Sequence, residues 1–395
     1  MQSGRPLQSM QAMSDIHNES AAVAPMLKHP IDPIAAVSHP DPYPYYAALR
    51  ADSGVHWFAD RKLWALVSAP LVTAAFTMEH AKVRSPSEAV PAFLLNTPAG
   101  DVFGRLARMT DGPPHAAQRE RTLLLMRKLT GERVTAGSAQ VIDAVASPWL
   151  ERRDGESLNE LIRALPIMSV LAALGFSAHH CQAILAFVDT WVAGLSPLAT
   201  DSQRAAAINA MEGLLPLLAA NGVRGLDDAA AHVAVLMQPH EATAGLIGAG
   251  LLRLAADAGL RNAAVAGTLR WDHFGAEVLR HDPPIQNTRR VMAADVMFED
   301  KRVHAGEAVL LVLASAARDL SPKDALDEFR LNRSLRTTLP LGTGAHACPG
   351  GPAALAIAEC AWRHIAEHAG QGGLEALARG VTWRASVNAR IPMFA

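Results

Sequence analysis

The sequence contains few cysteines. Only three occur among 395 residues, Cys181, Cys348 and Cys360, and no two of them form a C-x-x-C pair. A disulfide framework needs several paired cysteines and a structural zinc site needs clustered ones, so both are excluded. This composition is typical of a reducing compartment, and we expect a cytoplasmic protein.

An excess of charge of either sign is also lacking. Lys and Arg number 36 and Asp and Glu number 38, which gives 36 − 38 = −2. Binding to nucleic acid requires a basic surface that releases counterions from phosphates. We therefore expect no nucleic-acid partner.

Long apolar runs are absent as well. The best one, Leu161 to Phe176, is interrupted by Arg163 and Pro166 and is typical of a buried helix rather than a membrane span. The polar segment from Met1 to Lys28 lacks the apolar stretch of a signal peptide or membrane anchor. We expect residues 1–28 to form a flexible tail and the protein to be soluble, with no membrane partner.

No internal repeat and no Gly/Ser linker divides the rest of the chain. Apolar residues recur at helical spacing through most of it, and the longest such stretch runs from about Asp227 to Asp257. Short β-rich runs at 55–58, at 63–67 and between 288 and 313 predict a few strands. The sequence therefore predicts one domain over residues 29–395, mainly α, with a large helical part and a small β-rich part.

A glycine-rich loop with a cysteine near its end is the most informative segment present. Residues 341–350 read Leu-Gly-Thr-Gly-Ala-His-Ala-Cys-Pro-Gly, and an Ala-rich helical pattern follows. Glycines at this density let a backbone approach a large flat ligand, and a helix N-terminus stabilises a thiolate. Cys348 therefore stands where a haem-ligating cysteine is found.

Two other interpretations of this loop remain when it is taken alone. Cys348 is then also compatible with a buried, inert cysteine. The spacing of Gly342 and Gly344 resembles the opening of a dinucleotide-binding loop. The second alternative is disfavoured because the preceding segment ends in Pro340, which suits a central strand poorly, and no βαβ unit surrounds it.

Other segments accompany the cysteine loop in a matching order. Glu277 and Arg280 stand at positions i and i+3 of one predicted helix, where they can pair, and Arg333 follows further along. Upstream, residues 111–119 read Asp-Gly-Pro-Pro-His-Ala-Ala-Gln-Arg. Together these segments closely resemble the bacterial haem-thiolate monooxygenases, the cytochrome P450 family, over roughly residues 30–395.

The resemblance implies the cytochrome P450 fold and a haem b cofactor whose iron is bound by Cys348. It also implies that charged side chains hold the haem propionates, which suits anions at the rim of an apolar slot. The expected cofactor-binding residues are His115, Arg119, Arg290, His346, Cys348, Gly342 and Gly350. Glu277, Arg280 and Arg333 are expected to form an ion-pair triad that holds the chain segment beneath the haem.

The long helix departs from the family pattern where oxygen is handled. That pattern is Ala-Gly-x-Glu/Asp-Thr, whereas this chain keeps the acid as Glu241, has Ala242 at the alcohol position, and has Gln238-Pro239 for the Ala-Gly pair. A threonine hydroxyl helps to deliver protons, which a methyl group cannot do. A proline inside a helix removes an N–H and is expected to kink it. The expected catalytic positions are Glu241, Gln238 and Ala242.

Several explanations of this departure stay open. A substrate hydroxyl replaces the missing alcohol, or Gln238 forms another relay with Glu241 or His240 and water, or the enzyme needs no such proton delivery. Gln238 and His240 are alternatively ordinary helix residues. The same departure keeps two other functions open: a peroxide-dependent or isomerising haem-thiolate enzyme, and a haem-binding protein that has lost oxygen activation.

The substrate and the electron donors follow only from the resemblance. The segments that form the family's pocket supply a mixture of apolar and amide side chains: Phe93, Leu94, Leu236, Ile285, Gln286, Asn287 and Asn388. We expect hydroxylation, epoxidation or oxidative coupling of a medium-sized apolar molecule from secondary metabolism. No fused flavin or iron–sulfur module is apparent, so a ferredoxin and its reductase are the expected donors. Their expected docking patch comprises Arg121, Arg127, Lys128, Arg336 and Arg363.

Overall fold

The computed structural model describes residues 29–319, 327–333 and 339–395. The predicted tail and Arg336 lie outside these residues. The helices are α1 (Tyr43–Asp52), α2 (Ala69–Thr77), α3 (Pro98–Phe103), α4 (Gly112–Met126), α5 (Gly131–Arg152), α6 (Gly155–Leu174), α7 (Ala178–Leu195), α8 (Asp201–Ala220), α9 (Gly225–Ala256), α10 (Ala258–Val265), α11 (Trp271–His281), α12 (Leu313–Ala316) and α13 (Gly351–Ala376). The prediction of a mainly α chain with a small β part is confirmed.

The strands form three small sheets in the described part of the chain. They are β1 (Val55–Phe58), β2 (Leu63–Leu66), β3 (Ala81–Lys82), β4 (Thr288–Met292), β5 (Val296–Phe298), β6 (Lys301–Val303), β7 (Ala308–Leu311), β8 (Thr382–Trp383) and β9 (Pro392–Met393). The main sheet has the order β1-β2-β7-β4-β3, in which only β2 and β7 pair in parallel. The strands predicted at 55–58 and 63–67 are confirmed, and they pair as a hairpin with Trp57 opposite Trp64.

Helix starts follow local chemistry in several places. The side chains of Thr130 and Asp154 accept hydrogen bonds from backbone N–H groups in the first turns of α5 and α6. Thr200 and Gln203 form a reciprocal capping box at the start of α8. Each cap satisfies a donor that the helix itself leaves free, so these boundaries are set by a few adjacent residues.

Helices α9 and α13 pack so closely that they determine the depth of the candidate site. Trp362 of α13 is fully buried, and its indole Nε1 donates to the carbonyl of Ile247 in α9 at 2.8 Å. A Cβ atom on Gly250 would lie 2.3 Å from the Trp362 ring, so only glycine permits this approach. The cysteine loop runs directly into α13, and this contact therefore sets its distance from α9.

Helix α6 is long and apolar enough to span a membrane by length and composition. Most of its apolar window is buried inside the protein, where Leu158, Leu161 and Leu165 have no exposed surface. The helix packs against α5 and α9. This agrees with the expectation of a buried helix at Leu161 to Phe176.

Candidate active site

The cysteine loop is shaped by two glycines with positive φ. Gly342 has φ 73° and Gly344 has φ 70°, a region that residues with a Cβ atom rarely adopt. A Cβ atom on Gly344 would also lie 3.1 Å from the carbonyl oxygen of Phe76 in α2. The loop then turns back, with the Cys348 N–H donating to the Leu341 carbonyl at 2.8 Å. Cys348 is thereby held three residues before the start of α13.

Cys348 is the most accessible of the three cysteines. Its residue is exposed, whereas Cys181 is buried and Cys360 is half-buried. The interpretation of Cys348 as a buried, inert cysteine is therefore wrong. The free N–H groups at the start of α13 stabilise negative charge on a nearby sulfur, so this thiol is placed to bind a metal ion as a thiolate.

Two histidines from distant segments meet beside the loop. The rings of His115 in α4 and His346 have centroids 4.1 Å apart, and His346 Nε2 lies 3.2 Å from Asp111 Oδ1. Burial lowers the pKa of His346 to about 4, and the neighbouring His115 and Arg290 also lower it. A further cation joins them, because Arg119 donates from Nη2 to the Ala347 carbonyl.

Arg290 on β4 is a buried cation with no counter-ion among the residues that the structure describes. Its side chain donates to the Arg289 carbonyl at 2.8 Å and contacts Thr288 Oγ1 at 3.4 Å, and its guanidinium stands 5.4 Å from the Phe76 ring centre. No carboxylate among the described residues lies within ion-pair distance of it. Desolvation lowers its pKa, and Asp111 only partly opposes this. Such a group stabilises a bound anion strongly, because a buried unpaired charge is costly.

The predicted face in the middle of α9 is more accessible than the helical turns on either side of it. Gln238, Glu241 and Ala242 are half-buried, whereas the flanking segments 233–237 and 243–251 are buried. These three residues lie at i, i+3 and i+4, which is one face of a helix. Glu241 forms an ion pair with Arg384, which follows β8. The sequence does not indicate Arg384, because it lies 143 residues away along the chain.

Pro239 does not interrupt α9. The helix is continuous from Gly225 to Ala256, so the expected kink does not divide it. Proline has no N–H, and the Val235 carbonyl one turn earlier therefore receives no helical hydrogen bond from position 239. The proline at position 239 thus frees one backbone carbonyl, that of Val235, without dividing the helix.

His240 points to a different set of partners from those of Glu241. Its Nε2 lies 2.6 Å from Asp189 Oδ1 on α7, and Asp189 also pairs with Arg163 on α6. Burial lowers the pKa of His240 to about 4, so the ring is neutral at neutral pH. Because Nε2 donates to the carboxylate, Nδ1 carries the lone pair, and it is buried without a partner among the described residues.

Glu277 connects helix α11 to the segment 327–333. Its carboxylate accepts hydrogen bonds from Arg280 Nη2 and Arg333 Nε, both at 2.8 Å, and from the Arg330 N–H at 2.9 Å. Burial by itself would raise the pKa of Glu277, but these hydrogen bonds outweigh it and lower the pKa. The structure therefore brings the three residues of the expected triad together.

The expected substrate residues do not form one open pocket. Leu94, Leu236 and Gln286 have no exposed surface, and the Gln286 amide donates to the Pro283 carbonyl at 2.7 Å. The Asn287 amide is likewise engaged, with the Val387 carbonyl at 3.0 Å. For these four residues the expectation of pocket lining is corrected, because core packing and backbone hydrogen bonds occupy their side chains.

The other three expected pocket residues are partly accessible. Phe93 stands beneath the Arg204 guanidinium of α8, 5.6 Å from the ring centre. Ile285 forms an isolated bridge with Ala389, and the Asn388 carbonyl accepts from the Gln286 N–H. These contacts place Ile285 and Asn388 side by side but leave Phe93 near α8.

Comparisons with known proteins agree on one family. Cytochrome P450 144 of Mycobacterium tuberculosis is 27% identical over 383 residues, which cover 88% of this chain and 86% of that protein. The monooxygenase PikC of Streptomyces venezuelae is 25% identical over 381 residues, which cover 87% of each. The crystal structure of CalO2 matches with a TM-score of 0.72 at 19% identity, covering 90% of this chain and 96% of that one. No model in a scan of protein families matches the chain.

The fold and the curated relatives point to the same class, the haem-thiolate proteins. The chain is similar over most of its length to bacterial cytochromes P450, and this supports a monooxygenase that uses haem with an axial cysteine thiolate. The residues present fit that cofactor, because the buried Arg290 needs an anion and Cys348 offers an accessible sulfur. The dinucleotide interpretation is wrong, since a 3-10 turn, Leu339–Leu341, and not a strand precedes Gly342.

Proposed function

We propose that the protein is a haem-thiolate monooxygenase in which Cys348 is the iron ligand and α9 supplies the oxygen-side wall. The exposed Cys348 thiol before α13 carries this proposal. Haem, when bound, supplies the activation of oxygen. His115, Arg119, Arg290 and His346 would hold its propionates by charge-assisted hydrogen bonds. Gly342 and Gly350 would let the loop backbone approach it.

The proton-handling role belongs to Glu241 together with Gln238. The ion pair with Arg384 orients the Glu241 carboxylate, and the Gln238 side chain is accessible on the same helix face. Ala242 offers no hydroxyl, so protons would pass from solvent through the Glu241 carboxylate and water held by the Gln238 amide. This departs from the family pattern and supports one second candidate, a peroxide-dependent or isomerising enzyme, which needs no such delivery.

The substrate is proposed to be a medium-sized apolar molecule of secondary metabolism. Relatives support this class by name only: one solved structure is of P450 RauA with a biosynthetic intermediate of aurachin RE, and another is of the bacillaene polyketide synthase P450 PksS. Residues 29–395 would act as one domain. We further propose a soluble, cytoplasmic enzyme, which the burial of α6 supports.

A ferredoxin and its reductase are the proposed electron donors. A surface pocket of about 380 Å³ lies beside the cysteine loop at Ala345, and Arg119, Arg127 and the exposed Leu124 line it. Of the expected docking patch, Arg121 pairs with Asp228 and Arg363 with Glu359, so these two charges are already compensated. The pocket and the exposed Arg127 and Lys128 suit an acidic partner.

The decisive experiment compares cysteine variants of the ferric protein and its carbon monoxide complex. Cys348→Ser should abolish the Soret position that thiolate ligation produces, while Cys360→Ser, the matched control on α13, should retain it. A retained thiolate spectrum in Cys348→Ser would overturn the proposal. Turnover with ferredoxin, reductase and NADPH, but not with hydrogen peroxide alone, identifies a monooxygenase, and the reverse result supports the second candidate.

A further inference from the structure

The middle of α9 contains a buried histidine directly after the proline that replaces the glycine of the family pattern. Pro239 lies inside the helix, and His240 follows it with its side chain buried. Helices α5, α6 and α8 also contain an internal proline, and in each of them the next residue is apolar: Trp149, Ile167 and Leu217. An imidazole buried at such a position costs free energy unless its polar atoms are hydrogen-bonded. The choice of histidine at position 240 therefore needs a reason other than apolar packing.

The hydrogen bonds of His240 lead away from α9 into two neighbouring helices. Its Nε2 donates to Asp189 Oδ1 of α7 at 2.6 Å, and Asp189 Oδ2 accepts from Arg163 Nη1 of α6. The exposed fraction of the side chain rises along this series, from 6% for His240 through 24% for Asp189 to 42% for Arg163. A partly exposed ion pair thus fixes a buried imidazole, and we call these three bonded residues the α9 tether.

The α9 tether acts at a turn where the helix lacks a backbone hydrogen bond. Pro239 has no N–H to donate to the Val235 carbonyl, and the proline ring crowds that carbonyl as well. Both effects tend to bend a helix at the proline. Helix α9 is nevertheless continuous from Gly225 to Ala256. A bond from residue 240 to another helix opposes the bend, because it holds the backbone immediately after the proline.

A bend at Pro239 would change the relative directions of the two side chains that we propose for proton handling. Gln238 precedes the proline and Glu241 follows it, and in the continuous helix both lie on the same accessible face. Glu241 is held from outside by its ion pair with Arg384, so a bend would move Gln238 relative to a fixed carboxylate. The distance between the two groups therefore depends on this single helical turn.

We infer that His240 is a positioning residue, which acts through Asp189 to keep α9 straight at Pro239. The straight helix in turn keeps Gln238 and Glu241 on one face. This inference rests on the proposed function, because it concerns the same proton-handling pair. It implies that the proline creates the need for the tether. An alanine at position 239 would restore the backbone N–H, and His240 would then be dispensable.

A two-by-two set of variants tests this dependence in the ferric holoprotein. The set comprises the wild type, His240→Phe, Pro239→Ala and the variant that carries both changes. Phenylalanine keeps an aromatic ring of similar size but cannot donate to Asp189, whereas the conservative variant His240→Gln retains an N–H donor. The control is His232→Gln on the same helix, because His232 Nδ1 bonds to the Asp228 carbonyl of α9 itself.

Two measurements are made on each protein. The first is amide hydrogen exchange of residues 233–245, which reports local opening of α9 and does not depend on haem chemistry. The second is the steady consumption of NADPH with ferredoxin and its reductase, without added substrate, which requires proton delivery. The first measurement detects a change of the helix, and the second detects whether that change reaches the proton-handling pair.

The expected result is an effect of His240→Phe that depends on the proline. With Pro239 present, exchange in the middle of α9 should become faster by about tenfold or more, because a hydrogen bond to a charged group is lost. NADPH consumption should fall several-fold. In the Pro239→Ala background the same substitution should change either rate by less than about twofold. His240→Gln should keep part of the protection, and His232→Gln should change neither rate.

Equal effects of His240→Phe in the two backgrounds would overturn the inference, by showing that the ring contributes ordinary core packing. Faster exchange with unchanged NADPH consumption would overturn it too, since His240 would then stabilise the helix without positioning the pair. A failure of the proposed function appears separately, as a thiolate spectrum retained in Cys348→Ser.

Discussion

Single residues in this site are defined by what they lack. Ala242 lacks the hydroxyl that the family pattern provides, Pro239 lacks an N–H, and Arg290 lacks a carboxylate partner among the described residues. The missing N–H frees a backbone carbonyl, the missing carboxylate leaves a buried charge uncompensated, and the missing hydroxyl removes a proton donor. The changes at Ala242 and Arg290 lead to testable predictions.

Ala242→Thr tests whether proton delivery limits the reaction. The new hydroxyl would stand beside Glu241 on the accessible face of α9, where it can pass a proton to water. We expect the product formed per NADPH consumed to rise several-fold toward its limit of one, because a positioned general acid speeds a proton-transfer step by about 10²–10⁴-fold. The ratio of product to NADPH under steady turnover measures this effect.

Thr243→Val is the control for that experiment. Thr243 is buried, and its hydroxyl has no partner among the described residues, so its removal should leave the ratio unchanged. If Ala242→Thr leaves the ratio unchanged or lowers it, delivery runs through the substrate or through another relay.

Arg290→Gln should have opposite effects on the two forms of the protein. With haem bound, the loss of charge-assisted hydrogen bonds should accelerate haem transfer to apomyoglobin by about tenfold or more. In the apoprotein, the wild type buries an unpaired cation and the variant does not. The free energy of unfolding of the variant in urea should therefore be higher by about 1 kcal/mol. Arg302→Gln on the exposed side of β6 should change neither, and a destabilised apoprotein would contradict this account.

At the scale of elements, one buried carboxylate ties helix α11 to a segment with little regular structure of its own. Glu277 accepts hydrogen bonds from its own helix and from residues 330 and 333, so two elements share one charge. Arg280 also donates to the Glu328 carbonyl at 2.9 Å. The segment 327–333 is therefore held by this shared charge together with Phe329 and Leu331, which pack against the main apolar core.

Glu277→Gln should be strongly destabilising. It leaves Arg280 and Arg333 as buried cations without their carboxylate, and such a loss costs about 3–5 kcal/mol of unfolding free energy. Urea denaturation measures it directly. The pKa of Glu277 is lowered in the fold, so the stabilisation by the ionised form is lost as pH falls through that lowered pKa.

A surface pair provides the matched control for Glu277→Gln. Glu359 and Arg363 lie at i and i+4 of α13, with the Arg363 side chain half exposed. Glu359→Gln should cost no more than about 0.5 kcal/mol, because solvent screens exposed pairs. Equal losses of unfolding free energy in the two variants would show that the buried Glu277 triad stabilises the fold no more than an exposed ion pair does.

Across the whole molecule, buried neutral histidines make the fold sensitive to acid. Burial lowers the pKa of His240 and of His346 to about 4, and burial together with Arg318 lowers the pKa of His281 to about 2. An unfolded chain protonates its histidines near pH 6.5. The unfolded state therefore binds more protons below that pH, and stability falls as the pH drops from about 6.5 toward 4.

His281→Gln should reduce this acid sensitivity. The apoprotein loses free energy of unfolding between about pH 7 and about pH 4. In the variant, this loss should be about 1–3 kcal/mol smaller than in the wild type. The control variant is His80→Gln, which removes an exposed histidine just before β3. An unchanged slope in His281→Gln would contradict the assignment of a buried neutral ring.

Local features of the site were predictable from the sequence. The glycines of the cysteine loop, the position of Cys348 before a helix, and the face shared by Gln238, Glu241 and Ala242 all depend on residues within a few positions of each other. Backbone conformation and helical periodicity are set over that distance. The main strands and the mainly α class were predictable for the same reason.

Tertiary structure alone decided which charges meet α9. Arg384 reaches Glu241 across 143 residues, and Asp189 reaches His240 across 51. It also decided that Leu94, Leu236 and Gln286 are buried. Partners and burial depend on how close-packed elements from distant parts of the chain come together, and no local pattern encodes that arrangement.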